Sequence, residues 1–148
     1  MPSELLFNAL RELHLPHGQY ALFGSAPICI RRLRECSHDI DIIVSAFLWD
    51  TYSQKSEWEK GTSRLGSPRL FSGPFEMFRD WKPGVWDIDS LILEADVIDG
   101  LPFVRLEHVA QWKKLYLNTG IPPESRQKYI RDIKLIEDYF KRRGDGTA

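Results

Sequence analysis

Cysteine, charge imbalance and long apolar runs are all scarce in this chain, and each scarcity removes a class of protein. The 148 residues include two cysteines, Cys29 and Cys36, seven positions apart and in no metal-ligand spacing. A domain built on a disulfide framework or a structural zinc is therefore excluded, and both thiols are expected to be reduced and at least partly buried, as in a cytoplasmic protein. No apolar run approaches the ~20 residues that cross a bilayer, and the N-terminus lacks the apolar segment of a secretory signal, so no membrane association is expected. The 20 Lys and Arg nearly cancel the 21 Asp and Glu, leaving a net charge of −1. Without a global basic field a long polynucleotide is disfavoured as substrate, although Arg31, Arg32 and Arg34 cluster locally and, with Arg64 and Arg69, could line a basic groove for a tRNA end. His14, His17, His38 and His108 form no ligand set, and no Ser-His-Asp or Cys-His arrangement has motif support. Repeats and low-complexity tracts are absent too.

What is present is a spacing. Tyr20-Ala21-Leu22-Phe23 is a short apolar run that ends abruptly in Gly24-Ser25, and thirteen residues then separate Ser25 from Asp39. His38-Asp39-Ile40-Asp41-Ile42-Ile43-Val44 alternates and then turns β-branched, the pattern of a half-buried strand. A period of two puts Asp39 and Asp41 on one face and Ile40 and Ile42 on the other. Asp is depleted in strands, so two in one β-branched run need a reason. Carboxylates held side by side repel, and an oxygen-rich site of this kind suits Mg²⁺, which also takes phosphate ligands. The Gly-Ser turn stands where a helix would begin, where backbone N–H groups and the Ser25 hydroxyl can hold a phosphate. Together these features fit the handling of a nucleoside triphosphate.

A strand, Gly-Ser, a helix, and Asp-hydrophobic-Asp on the next strand resemble the signature of the DNA polymerase β-like nucleotidyltransferase superfamily, and most of all its small stand-alone prokaryotic members. The matching residues are Phe23-Gly24-Ser25 and Asp39-Ile40-Asp41-Ile42, followed by Ala95-Asp96-Val97-Ile98-Asp99-Gly100-Leu101-Pro102-Phe103-Val104, Leu106 and Lys113. Together they span roughly residues 19 to 137. Small relatives often carry Arg-x-Lys-Asp-x-x-Asp-Ile in the closing helices. Here Arg126-Gln127-Lys128-Tyr129-Ile130-Arg131-Asp132-Ile133 puts Tyr129 where the first Asp would stand, and Gly120 to Ser125 forms a longer connection.

The resemblance implies one mixed α/β (α+β) domain over residues 1–148, with a core over about 19–104 and closing helices over about 106–142. The expected architecture is a small twisted mixed sheet packed against helices on one side, with helices at the C-terminus. Ser3 reads as the cap of a helix over about 4–13, and further helices are expected over about 25–34, 46–58, 106–118 and 124–142. Strands are expected near 19–23 and 38–44, a polar mobile loop over 60–67, and a frayed tail over 142–148. Asp99-Gly100 reads as the type I′ turn of a hairpin, which would put Pro102 on an edge or at a bulge.

The superfamily commonly uses a third carboxylate on a neighbouring strand. Glu76, the lone charge in Pro74-Phe75-Glu76-Met77-Phe78, is the preferred candidate. Asp87 and Asp89 form a second Asp-Ile-Asp, but after Pro83-Gly84 and before a helical run they read better as a helix cap and a first-turn charge. The resemblance then implies Asp39, Asp41 and Glu76 as catalytic and metal-binding residues, with Mg²⁺ or Mn²⁺ as cofactor. Gly24, Ser25 and Lys113 would contact the NTP, and Asp132 would hold Lys113 or Lys128. The implied reaction is transfer of a nucleoside monophosphate to an acceptor hydroxyl with release of pyrophosphate, the acceptor being a small molecule, a protein or tRNA. A degenerate site acting as an antitoxin-like binding partner is the alternative, and a protein partner or a homo-oligomer is compatible with either.

Overall fold

The structure, a computed structural model, describes residues 2–36 and 39–147. Two strands explain most of the architecture. β1 (Tyr20–Leu22) and β2 (Ile40–Val44) are apolar at nearly every position and pair antiparallel at the centre of the sheet. A strand that is apolar on successive residues must be covered on both faces, and these are. Ile40, Ile42 and Val44 pack with Leu6 and Leu10 of α1 (Ser3–Arg11) and Leu48 of α3 (Ala46–Ser53). On the other side, Ala21 and Ile43 meet Leu91 of α4 (Ile88–Leu93), Val109 and Trp112 of α5 (Leu106–Tyr116) and Ile136 of α6 (Pro123–Thr147). Helices therefore lie against both faces, where one was expected.

Five further strands complete an open mixed sheet: β3 (Glu59–Thr62), β4 (Pro68–Ser72), β5 (Phe75–Phe78), β6 (Asp96–Ile98) and β7 (Leu101–Phe103), in the order β3-β4-β5-β2-β1-β7-β6. β2 runs parallel to β5, and β1 parallel to β7. The Asp99-Gly100 turn forms as expected, with φ of 52° and 79°. Pro102, however, sits on an interior strand. It is tolerated because β1 meets β7 only at the Leu22–Phe103 pair. No helix among the described residues is long and apolar enough to cross a membrane.

Other local expectations change for local reasons. The 60–67 segment is not a free loop: Glu59–Thr62 forms the edge strand β3, and Arg64 donates to the Tyr116 hydroxyl at 3.2 Å and the Thr119 hydroxyl at 2.6 Å. Trp58 lies beyond α3, which ends at Ser53. The helix after Gly-Ser, α2 (Ala26–Ile30), is five residues long, with Pro27 in its first turn as expected. α6 continues to Thr147, through the segment expected to fray. Ser3 lies inside α1 and does not cap it; its hydroxyl and N–H both donate to Glu35, at 2.8 and 2.9 Å.

The cysteines depart most from expectation. Cys29 and Cys36 are joined by a disulfide, with Cα atoms 5.7 Å apart. Spacing alone could not show this, because the pairing depends on the turn after α2, where Arg32 adopts φ 60°. The intact protein should therefore resist iodoacetamide until reduced and then take up two labels. Cys29→Ser/Cys36→Ser should lower unfolding free energy by about 2–3 kcal/mol in a denaturant titration.

Candidate active site

Parallel pairing of β2 with β5 places Asp41 directly beside Glu76. The period-two rule turns both side chains toward the face covered by α4, α5 and α6, and sends Phe75 and Met77 into the opposite core. Asp41 is half-buried and faces a cavity. Burial, first, and then the charge and proximity of Glu76 and the charge of Asp39 push its carboxyl up to about 8, while Lys113 draws it down. Glu76 is held by an ion pair with Arg69, which arrives from β4. Asp39 stands one residue before β2 and is exposed. His38 lies outside the described residues.

Gly24 bends the chain directly over Asp41. Its φ is +64°, and a Cβ there would lie 2.3 Å from the Asp41 Oδ2. Both the left-handed backbone and the close approach require glycine. Beside it, the Ser25 hydroxyl accepts a 2.7 Å hydrogen bond from Arg34 Nη2. Arg34 in turn grips Asp132 of α6 with two bonds, Nε to Oδ1 at 2.7 Å and Nη2 to Oδ2 at 2.8 Å. Lys113 of α5 completes the chain of contacts, its Nζ 3.0 Å from Asp132 Oδ2. Of the two lysines expected to pair with Asp132, the structure pairs Lys113. Burial pushes the Asp132 carboxyl up, but the bonds from Arg34 and the charge of Lys113 outweigh it and hold it below its usual range. Burial likewise draws the Lys113 ammonium down against the pull of Asp132.

Two cavities adjoin these residues. One, of about 270 Å³, is lined by Asp41 and Glu76, by the rings of Trp81, Trp112, Tyr116 and Tyr129, and by Arg64, Arg69 and Lys82. The other, of about 360 Å³, is lined by Ser25, Arg34, Asp39, Lys128, Arg131 and Asp132. Asp39 and Asp41 therefore open onto different cavities, and Lys113, at 3% exposure, lines neither. Tyr129 lies against Tyr116, with ring centroids 4.7 Å apart and planes within 14°. Asp87 caps α4, accepting from the Ser90 N–H at 3.2 Å, and Asp89 follows in its first turn, paired with Arg79.

The donor chemistry suits a hard divalent cation, since a half-buried carboxyl raised to about 8 beside two other acids calls for positive charge. The arrangement is less ready than the chemistry. Among the described residues no three of Asp, Glu, His and Cys gather closely enough to hold a metal, and Arg69 already neutralises Glu76. From sequence, Arg34 and Arg69 read only as parts of a possible basic groove and Lys128 only as a partner for Asp132, while Arg131 has no role. Lys128, Arg131 and Asp132 are three and four residues apart on a helix, and that spacing was the available signal.

No protein-family model and no curated protein matches this chain. Among solved structures, it is similar to an antigenic nucleotidyltransferase-like protein from Paracoccidioides brasiliensis. The two are 17% identical with a TM-score of 0.43, over 90% of this chain and 72% of that one. The site geometry, not this likeness, supports the functional reading.

Two outcomes follow from the geometry. Folded Asp41 keeps its proton to about pH 8, whereas the unfolded chain releases it near 3.8. The metal-free protein therefore loses stability as pH rises through that interval. Asp41→Asn should stabilise it at pH 8 by at least ~1 kcal/mol and change little at pH 4, as read by thermal unfolding. Gly24→Ala should destabilise the fold by roughly 1–3 kcal/mol, from backbone strain and the clash with Asp41.

Proposed function

We propose that this protein transfers a nucleoside monophosphate from an NTP to an acceptor hydroxyl with the help of Mg²⁺ or Mn²⁺. The observation that carries this reading is the cross-strand pair of Asp41 and Glu76 on one face, with Gly24 closed over Asp41. Asp39, Asp41 and Glu76 would hold the cation, and binding requires Arg69 to release Glu76 and Asp39 to turn from the second cavity toward Asp41. The cation would neutralise the carboxylates and the departing pyrophosphate and lower the pKa of the acceptor hydroxyl. Lys128, Arg131 and Arg34 supply the cationic wall for the polyphosphate, beside the Ser25 hydroxyl. Lys113, proposed from sequence as a direct triphosphate contact, acts in this arrangement by holding Asp132, which holds Arg34. In the transfer, the acceptor oxygen bonds to the α-phosphorus as the bond to the bridging oxygen of pyrophosphate breaks. The hydroxyl proton passes to a carboxylate of the Asp41–Glu76 pair.

A specific observation favours the alternative, a silent site that serves only protein binding: Arg69 occupies Glu76, and no three-ligand metal group is gathered among the described residues. Cation titration separates the two. Mn²⁺ followed by electron paramagnetic resonance should bind the wild type, tightening as pH rises toward about 8 because Asp41 must shed its proton. Asp41→Asn and Glu76→Gln should each weaken binding at least ~10-fold, while Asp87→Asn should not. Labelled NTPs with Mg²⁺ should then mark an acceptor in a screen of small molecules, proteins and tRNA. Equal Mn²⁺ affinity in wild type and Asp41→Asn would leave the silent site as the better account.

A further inference from the structure

We infer that the aromatic cavity beside Asp41 is a binding site for a flat heteroaromatic ring bearing carbonyl or ring-nitrogen acceptors, on a molecule about the size of a nucleoside. This deepens the transfer reading and rests on it for the source of the ring, which is either the base of the NTP or the acceptor substrate.

The observation is a coincidence of unsatisfied donors. Among the described residues, the buried side-chain polar atoms left without a partner are Arg69 Nε and Trp81 Nε1, and both residues line this one cavity. Buried donors are nearly always paired, so two orphans at one cavity ask for acceptors from outside the chain. Trp81 is 5% exposed and cannot turn to find one. It stacks on Phe23 with centroids 4.6 Å apart, and it meets Phe78 edge-on and Trp112 at a tilt. Its neighbours show that the orphan is not a general feature of this aromatic cluster. Trp112 Nε1 donates to the Lys82 carbonyl at 3.0 Å and Trp86 Nε1 to the Pro83 carbonyl at 2.8 Å.

The walls specify the rest of the ligand. Trp112, Tyr116 and Tyr129 offer ring faces and edges, which favour a flat π-system. Arg64, its guanidinium 5.1 Å from the Tyr116 ring centroid, ties the β3–β4 connection to α5 and closes one side. About 270 Å³ is at the small end of ligand cavities, with room for a heterocycle and a sugar but not for a folded macromolecular surface. In-line displacement needs the entering and leaving oxygens on opposite sides of phosphorus. An aromatic cavity at Asp41 and a second cavity at Asp39, lined by charges of both signs with Lys128 and Arg131 among them, provide two separate compartments for such a reaction.

The test uses the full chain and neither cation nor triphosphate, so it stands or fails apart from catalysis. Uridine, cytidine, guanosine and nicotinamide are titrated separately while the indole N–H resonance of Trp81 is followed by two-dimensional NMR, identified by its loss in Trp81→Phe. A saturable shift of that resonance is expected, with binding weakened roughly fivefold in Trp81→Phe, which keeps the ring and removes the donor. Shifts with nucleosides alone assign the ring to a nucleotide, shifts with nicotinamide alone assign it to a non-nucleotide acceptor, and shifts with both leave the site selective for flat heterocycles in general. If none of the four moves the Trp81 resonance up to its solubility limit, the cavity is simply water-filled and the inference is overturned. Unchanged affinity in Trp81→Phe overturns it as well. Should that variant fail to fold, the resonance is identified by its through-space contacts to Phe23 and Phe78, and the wild-type titration still decides, with Tyr116→Leu as the second variant expected to weaken binding.

Discussion

A half-buried carboxyl group faced by a second carboxylate is an unstable arrangement unless a proton or a cation sits with it. Asp41 is that group, and the surrounding fold accounts for its setting. The parallel β2–β5 pairing places Glu76 beside it, and the Gly24 backbone lies against it. Arg69 shares the load by pairing with Glu76. Such a site concentrates electrostatic demand at a cost in stability.

Around this centre the cations are distributed by role. Arg69 sits on the acidic pair. Arg34 spans the Ser25 hydroxyl and Asp132, and Lys113 closes the same network from behind, buried under Trp112 and Tyr129. Lys128 and Arg131 remain at the wall of the second cavity. Buried and mutually bonded charges act as scaffold and orient their neighbours, whereas those lining a cavity are available to a ligand. Lys113 belongs to the first kind, although its place in the sequence suggested the second.

Much of the acidic centre was legible because it follows from local periodicity. Ile40-Asp41-Ile42 and Phe75-Glu76-Met77 each announce one polar position on a buried strand, and the two strands side by side bring Asp41 and Glu76 together, whereas Asp39, expected on the same strand face, stands before β2 and opens onto the other cavity. Asp87, after a turn and before a helix, declared itself a cap. What escaped depended on partners distant in sequence or on strands with no alternation. Glu59–Thr62 is polar or exposed along nearly its whole length, as an edge strand can be, and so read as a loop. Helices on both faces follow from the unbroken apolar run in β1 and from Ile42-Ile43-Val44 in β2, a signal present in Tyr20–Phe23 but read as one-sided. The Cys29–Cys36 bond depends on the turn between them, and the Arg69–Glu76 pair on the β4–β5 register, neither of which periodicity can supply.

The bond from Arg34 to Asp132 joins residues 98 positions apart, and it fixes the side chain that bonds Ser25. The second compartment is thus assembled from the first quarter of the chain and from its last helix. A ribosome releasing this protein would complete the central strands long before α6 emerged. The glycine–serine turn and the acidic strand would then exist for a time without the charges that frame them. In this molecule the network from Ser25 through Arg34 to Asp132 therefore closes only once α6 has been made.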